Sequence, residues 1–220
     1  MPHSSGPMND AIDLTVLHAT HAALRRELAQ LDRVTTAADR DPVHVLATAA
    51  GWTLLKKALR AHHEAEDSAL WPSLRQNLVG RPKDLARLEV LEAEHAAMTP
   101  VVHAIDRLLT EPGADSMRLG QLTDALTRGV AGHLQHEEDA AFPLIRRTLT
   151  AQQWAHFSQV HAHHIGRDAP LLLPWLLDGA DQQTSARLLA PLPPKTYVAC
   201  TTQWIPAYRA LLRWSPGSGA

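Results

Sequence analysis

Residues 62–72, HHEAEDSALWP, align without a gap on residues 133–143, HLQHEEDAAFP, at an offset of 71 positions. His62 falls on His133, Glu66 on Glu137, Ala69 on Ala140 and Pro72 on Pro143, while Asp67 with Glu138 and Trp71 with Phe142 are chemically alike. A second pair, His21 and His95, stands 74 residues apart, so the chain reads as two copies of one helical hairpin. Each copy supplies a lone histidine and then H-x-x-x-E on the next helix.

The apolar spacing fixes what carries these motifs. From Asp13 on, Leu14, Leu17, Leu24, Leu28 and Leu31 follow steps of three and four, and His21 is the one non-apolar member of that seam. Asp41-Pro42 opens a second helix, expected to run through Leu55 and Leu59 to the Gly80-Arg81-Pro82 break. A third repeats Leu88, Leu91, His95, Met98, Val102, Ile105 and Leu109 before Glu111-Pro112-Gly113. The fourth, from about 115 to 150, stacks Leu119, Leu122, Leu126, Gly129, His133, Glu137, Ala140 and Leu144 on one stripe. Long helices joined by short turns predict an all-α chain, an up-down-up-down four-helix bundle. The expected division is a mobile N-terminal arm over 1–10, the bundle over 11–150, and a proline-rich extension of short helices and turns over 151–220, packed on the bundle.

Composition removes other function classes. Twenty-one Lys+Arg against 23 Asp+Glu give a formal charge of -2, so nothing argues for nucleic acid or an anionic membrane surface. The uncharged stretches 42–55 and 169–177 are shorter than the roughly 20 apolar residues of a membrane span, and both contain proline. The single cysteine, Cys200, and an N-terminus without the basic-then-apolar pattern of a secretory signal fit a reducing cytoplasm. By contrast 14 residues are histidine, the side chain that most often ligates metals.

An i, i+4 spacing puts imidazole and carboxylate on one helical face, within reach of one site. A single H-x-x-x-E also occurs on solvated helix faces. Two copies at corresponding places, pooled with His21 and His95, give four imidazoles and two carboxylates, a donor set suited to iron or manganese and too oxygen-rich for structural zinc. Without metal, such a core costs on the order of several kcal/mol per unpaired charge unless each group finds a partner. With two histidines per metal and both glutamates bridging, His21, His62, Glu66, His95, His133 and Glu137 can hold a dinuclear centre.

Over about residues 13–149 these motifs resemble the hemerythrin-like, or HHE cation-binding, family. The resemblance implies His21 as first-helix ligand, His62 with Glu66 as second-helix pair, His95 as third-helix ligand and His133 with Glu137 as fourth-helix pair. Leu70-Trp71-Pro72 and Ala141-Phe142-Pro143 are similar to the family's aromatic-proline step. It further implies two iron ions (Fe2+/Fe3+) with a bridging oxo or hydroxo group, manganese or zinc being substitutes. Two departures separate the chain from oxygen carriers: Thr99 stands where they have a second third-helix histidine, and Glu138 follows Glu137 where they usually have Asp at +5. Thr99 is therefore a candidate neighbour of the centre, its hydroxyl one turn from His95. The segment from Pro174 through Pro194 to Tyr208 is similar to that of bacterial, especially actinobacterial, members.

The remaining polar residues carry plainer expectations. His18 reads as a partly exposed helix residue or a neighbour of the ligands, His63 and His136 as solvated, and His103 as a packed polar residue. His156, His161, His163 and His164 cluster in the extension as a lid or an adventitious metal site, or as neither. Glu64, Asp67, Glu94 and Glu138 are available to orient imidazoles, though surface charge is their default. Trp71 and Phe142 read as core closing the dry end of the site; Tyr197 and Tyr208 are candidate redox neighbours.

Function then divides. One reading is a di-iron oxidoreductase, oxidase-like or peroxidase/catalase-like, that activates or reduces O2, hydrogen peroxide or NO with an external electron donor and in some cases an organic substrate. The alternative is an oxygen or iron sensor or an iron buffer without turnover. Catalytic consumption of the oxidant discriminates them.

Overall fold

A computed structural model describes residues 12–37 and 41–215, and among these every regular element is helical. The arm expected over 1–10 lies outside the described residues. Helix α1 (Thr15–Thr36) buries Leu17, His21, Leu24, Leu28 and Leu31 on one face, as the three-and-four spacing dictates.

The second long helix is interrupted. Asp41 caps α2 (Pro42–Thr48) by accepting from the Val43 N–H at 3.0 Å, and the chain is extended at Ala49 (φ -72, ψ 123) before α3 (Ala50–Ala65) begins. Gly51 weakens the helix here, and the far end of the chain packs into the break. The Gly51 N–H donates to the Arg213 carbonyl at 2.7 Å, and the Trp214 indole lies so close that a Cβ on Gly51 would come within 2.4 Å of it.

Helix α3 passes through a π-helical turn (Glu66–Leu70) into α4 (Trp71–Asn77). Next come α5 (Pro82–Leu108) and α6 (Ser116–His136), the latter capped by Asp115. Helix α6 passes through a second π turn (Glu137–Ala141) into α7 (Phe142–Thr148). Both turns begin at the glutamate of H-x-x-x-E and end one residue before an aromatic-proline step. Proline lacks an N–H and its ring collides with the carbonyl four residues back, so a widened turn relieves the clash. The preceding N–H then reaches five residues back, Trp71 to Glu66 and Phe142 to Glu137. Cys200–Trp204, before Ile205-Pro206, repeats the device without a glutamate. Pro100 sits inside α5 without one, so proline permits the turn and does not compel it.

Two apolar clusters fill the interior. One gathers Leu24, Leu28, Leu55, Leu59, Met98, Ile105, Leu126 and Val130; the other gathers Leu17, Ala65, Leu70, Trp71, Leu91, Phe142 and Ile145. On every long helix the H or H-x-x-x-E motif falls at the changeover from one cluster to the other. The polar residues thus form a layer between two dry slabs.

The rest of the chain covers this bundle. Helix α8 (Ala151–Ile165), started by a Thr150/Gln153 capping box, packs along α3 and the Glu66–Leu70 turn. Helices α9 (Ala169–Leu177) and α10 (Gln182–Leu189) lie on α1, where Arg26 donates to the Trp175 carbonyl at 2.7 Å and to that of Asp178. Helices α11 (Pro194–Ala199) and α12 (Ile205–Ala210) follow, α12 against α9. None of the described helices is long and apolar enough to cross a membrane.

Candidate metal centre

The layer between the slabs holds His21 from α1, His62 from α3, Glu66 from the first π turn, His95 from α5, His133 from α6 and Glu137 from the second π turn, all buried. Their donor atoms fall into two groups that share Glu137: His21, His62 and Glu137 on one side, Glu66, His95, His133 and Glu137 on the other. His62 Nδ1 lies 3.5 Å from Glu66 Oε1, and His95 Nε2 lies 3.6 Å from Glu66 Oε2, so Glu66 also spans the two sides.

These atoms are close but do not satisfy one another. His21 Nε2 is 3.0 Å from Glu137 Oε2 and His62 Nε2 is 3.5 Å from the same oxygen, yet neither pair is aligned for a hydrogen bond. Both oxygens of Glu66, both of Glu137 and both ring nitrogens of His62 are buried without a hydrogen-bond partner. Buried polar atoms are otherwise almost always paired.

The outer nitrogens explain why. His21 Nδ1 faces Glu138 at 2.8 Å, His95 Nδ1 faces Asp67 at 2.8 Å and His133 Nδ1 faces Glu94 at 3.0 Å. Each carboxylate takes the Nδ1 proton, so in the neutral ring Nε2 presents a lone pair inward. His95 Nε2 and His133 Nε2 then stand 2.9 Å apart as two acceptors, which only a shared proton or a cation reconciles. The residues present therefore fit a metal: nitrogen and carboxylate donors converge, outer partners fix the tautomers, and the internal hydrogen bond between His95 and His133 uses a proton whose place a cation would take.

Electrostatics follow from this burial. Burial pulls the His62 imidazole down to about 4. It also pulls on His95, but Asp67 and Glu137 outweigh it and raise that ring to about 9. Burial and the neighbouring Glu137 charge push Glu66 well above the usual carboxyl range. Burial acts likewise on Glu137, and the four surrounding imidazoles overcome it and hold that carboxyl well below its usual range. Glu138 is held low against burial by Arg25, 2.7 Å away, and by His21.

Several plain expectations are corrected. His63, expected in solvent, is 8% exposed: its ring stacks on His95 with centroids 3.9 Å and planes 16° apart, and burial with its imidazole neighbours holds its pKa well below the ordinary value. Of the four acids available to orient imidazoles, with surface charge as their default, Asp67, Glu94 and Glu138 hold ligand-type imidazoles, while Glu64 meets His164 at 3.1 Å. His103, expected to be packed, is exposed. His136 is exposed and bonds Glu94 at 2.6 Å, and His18, also exposed, sets its edge against Phe142. Among the extension histidines only His161 is buried, parallel to Phe157, so the four do not form one site. Trp71 and Phe142 are buried beside His95 and His21. Tyr208 packs with Asp178 and Arg213, and Tyr197 is exposed. The signals that were available are the His62-His63 doublet and the acids adjoining motif residues.

A groove of about 700 Å³ between α3 and α5 leads to this layer. Leu59, Met98 and Val102 line it, His63 and His95 reach its wall, and Thr99 lies on its exposed α5 side.

Residues 13–145 match the family model of the hemerythrin HHE cation binding domain. No curated protein and no solved structure matches the chain.

Proposed function

Since the chain belongs to the hemerythrin HHE cation-binding family, we propose that it is a non-haem di-iron protein that activates or reduces a small oxidant, O2, hydrogen peroxide or NO, using an external electron donor. The observation that carries this reading is the set of inward-facing nitrogen lone pairs and unpartnered carboxylate oxygens in one buried layer. His95 and His133 with Glu66 and Glu137 would hold one ion, and His21 and His62 with the same two glutamates the other. When bound, two irons supply the electrons of a two-electron reduction and a coordination position for the oxidant.

The chain's own residues do the rest. Asp67, Glu94 and Glu138 fix the imidazoles in the tautomer that ligates, while Trp71 and Phe142 keep water from one side. The α3/α5 groove admits the oxidant, with room for an organic substrate, and Thr99 stands along that path. The changeover between slabs runs in alternating directions along α1, α3, α5 and α6, which supports the up-down-up-down order. The alternative, a sensor or buffer without turnover, is favoured by one feature: α8 rests on the very turn that carries Glu66, so a change at the centre reaches the extension.

Protein reconstituted anaerobically with ferrous iron should bind two irons per chain, and Glu66→Ala or Glu137→Ala should lose at least one. Full occupancy in both variants overturns the bridging assignment. Loaded wild type should consume hydrogen peroxide or O2 repeatedly with reductant in excess; one equivalent per centre assigns it to the sensors instead.

A further inference from the structure

His63 belongs to neither half of the ligand set, yet it occupies the wall between the groove and the centre. Its ring stacks face to face on His95 at 3.9 Å and sets its edge to His133 at 5.3 Å, with His62 beside it at 5.5 Å. Its Nε2 is buried without a hydrogen-bond partner, although the residue lines the groove. A ligand-type atom of its ring lies within 4.8 Å of those of His95 and His133.

The stack decides between two roles. Imidazoles that share one ion fan out from it, because each aims its lone pair at the same point. Stacked rings whose planes differ by 16° keep their lone pairs in nearly parallel planes a ring's thickness apart, so no nearby point lies in both. His63 therefore does not complete the His95 position as a further ligand. It stands one layer toward the groove, with its Nε2 buried and unpartnered. Resting on the reading of the centre given above, we propose that His63, through its Nε2–H, is the hydrogen-bond donor to the small molecule received at the His95/His133 side from the groove. Leaving that N–H buried and unpartnered is unfavourable in the resting protein, which a phenylalanine in the same stack would avoid. A molecule with an acceptor atom in that space satisfies it. The donor selects species that carry negative charge or lone pairs at the atom nearest His63.

Azide, a three-atom anion, is the probe. Wild type, His63→Phe and His63→Gln are loaded with iron and oxidised; iron per chain, melting temperature and azide affinity by optical titration are measured for each. His63→Phe should keep two irons and melt no lower than wild type, yet bind azide roughly tenfold or more weakly; His63→Gln, which retains an N–H, should recover most of that loss. Azide bound by His63→Phe as tightly as by wild type, at full iron content, overturns the proposal. Iron content falling below two in His63→Phe also overturns it, by making His63 a ligand. Wild type that takes up no iron fails the reading of the centre itself, a result distinct from either.

Discussion

Each of three inward-facing imidazoles is held by an acid on another helix, and that acid determines which ring nitrogen carries the proton. Asp67 does this for His95, Glu94 for His133 and Glu138 for His21. Glu94 adjoins His95 but serves His133, 39 positions away, and Asp67 adjoins Glu66 but serves His95, 28 away. Such crossing was not legible in sequence, because spacing along one helix says nothing of what the next helix presents. Replacing Asp67 or Glu94 with alanine frees the ring to adopt the other tautomer, and iron affinity should fall roughly 10- to 100-fold, read by competition with a chelator. Undiminished affinity in both variants would remove the tautomer argument. A different test belongs to His161, whose buried ring beside Phe157 is pulled down to about 4 by burial and by His164. A depressed imidazole means that the unfolded chain takes up a proton below about 6.5 while the folded chain does not, so stability falls as pH drops from there toward 4. Between pH 7.5 and 5, wild type should therefore lose about 2 kcal/mol more than His161→Phe in urea unfolding. Equal losses would show that His161 titrates normally in the fold.

The helices show which features local sequence controls. The seams of α1, α5 and α6, the helix starts at Asp41-Pro42 and near 115 and the H-x-x-x-E faces were all readable, since each depends on residues within a few turns. The break at Ala49 was not, because Arg213 and Trp214, which pack into it, come from the other end of the chain. His63 was misread for a related reason: it lies off the α3 seam, but between α3 and α5 a groove opens, and that face becomes the groove's inner wall. At the same junction the Trp214 Nε1 donates to Glu27 at 2.6 Å, a carboxylate with no exposed surface, and Arg213 approaches it to 3.7 Å. Gly51→Ala would drive a methyl into the indole and should cost about 1–3 kcal/mol. Trp214→Ala strips the buried carboxylate of its donor, with a comparable cost or more. Urea midpoints measure both, and if α3 and the C-terminal segment act as one latch, the double variant should lose less than the sum of the singles. Strict additivity would mean the two contacts are independent.

Across the whole molecule, one polar layer divides the apolar interior, and that layer makes stability depend on what fills it. A core of four imidazoles and two carboxylates is tolerable only if the charges are compensated, and the donors here are arranged to face a common interior instead of one another. Stripping the metal leaves the Glu66 and Glu137 oxygens and the inward nitrogens of His21 and His62 without aligned partners, in a region where water has little access. The slabs on either side and the covering helices α8, α9 and α10 bury enough apolar surface for the stripped chain to stay folded, so the expected effect is a lowered melting point. Metal that binds the folded chain and not the unfolded one stabilises by mass action, about 2.7 kcal/mol per site at a hundredfold excess over the dissociation constant. For a chain of this length that corresponds to a rise of about 5–10 °C per filled site. Iron-loaded and chelator-stripped protein, melted in the same buffer and pH, should differ by at least this much, and Glu137→Ala, which removes the residue common to both halves of the layer, should show a smaller rise on loading. If stripped wild type melts as high as the loaded protein, the six residues compensate one another without metal, and their burial has some other cause.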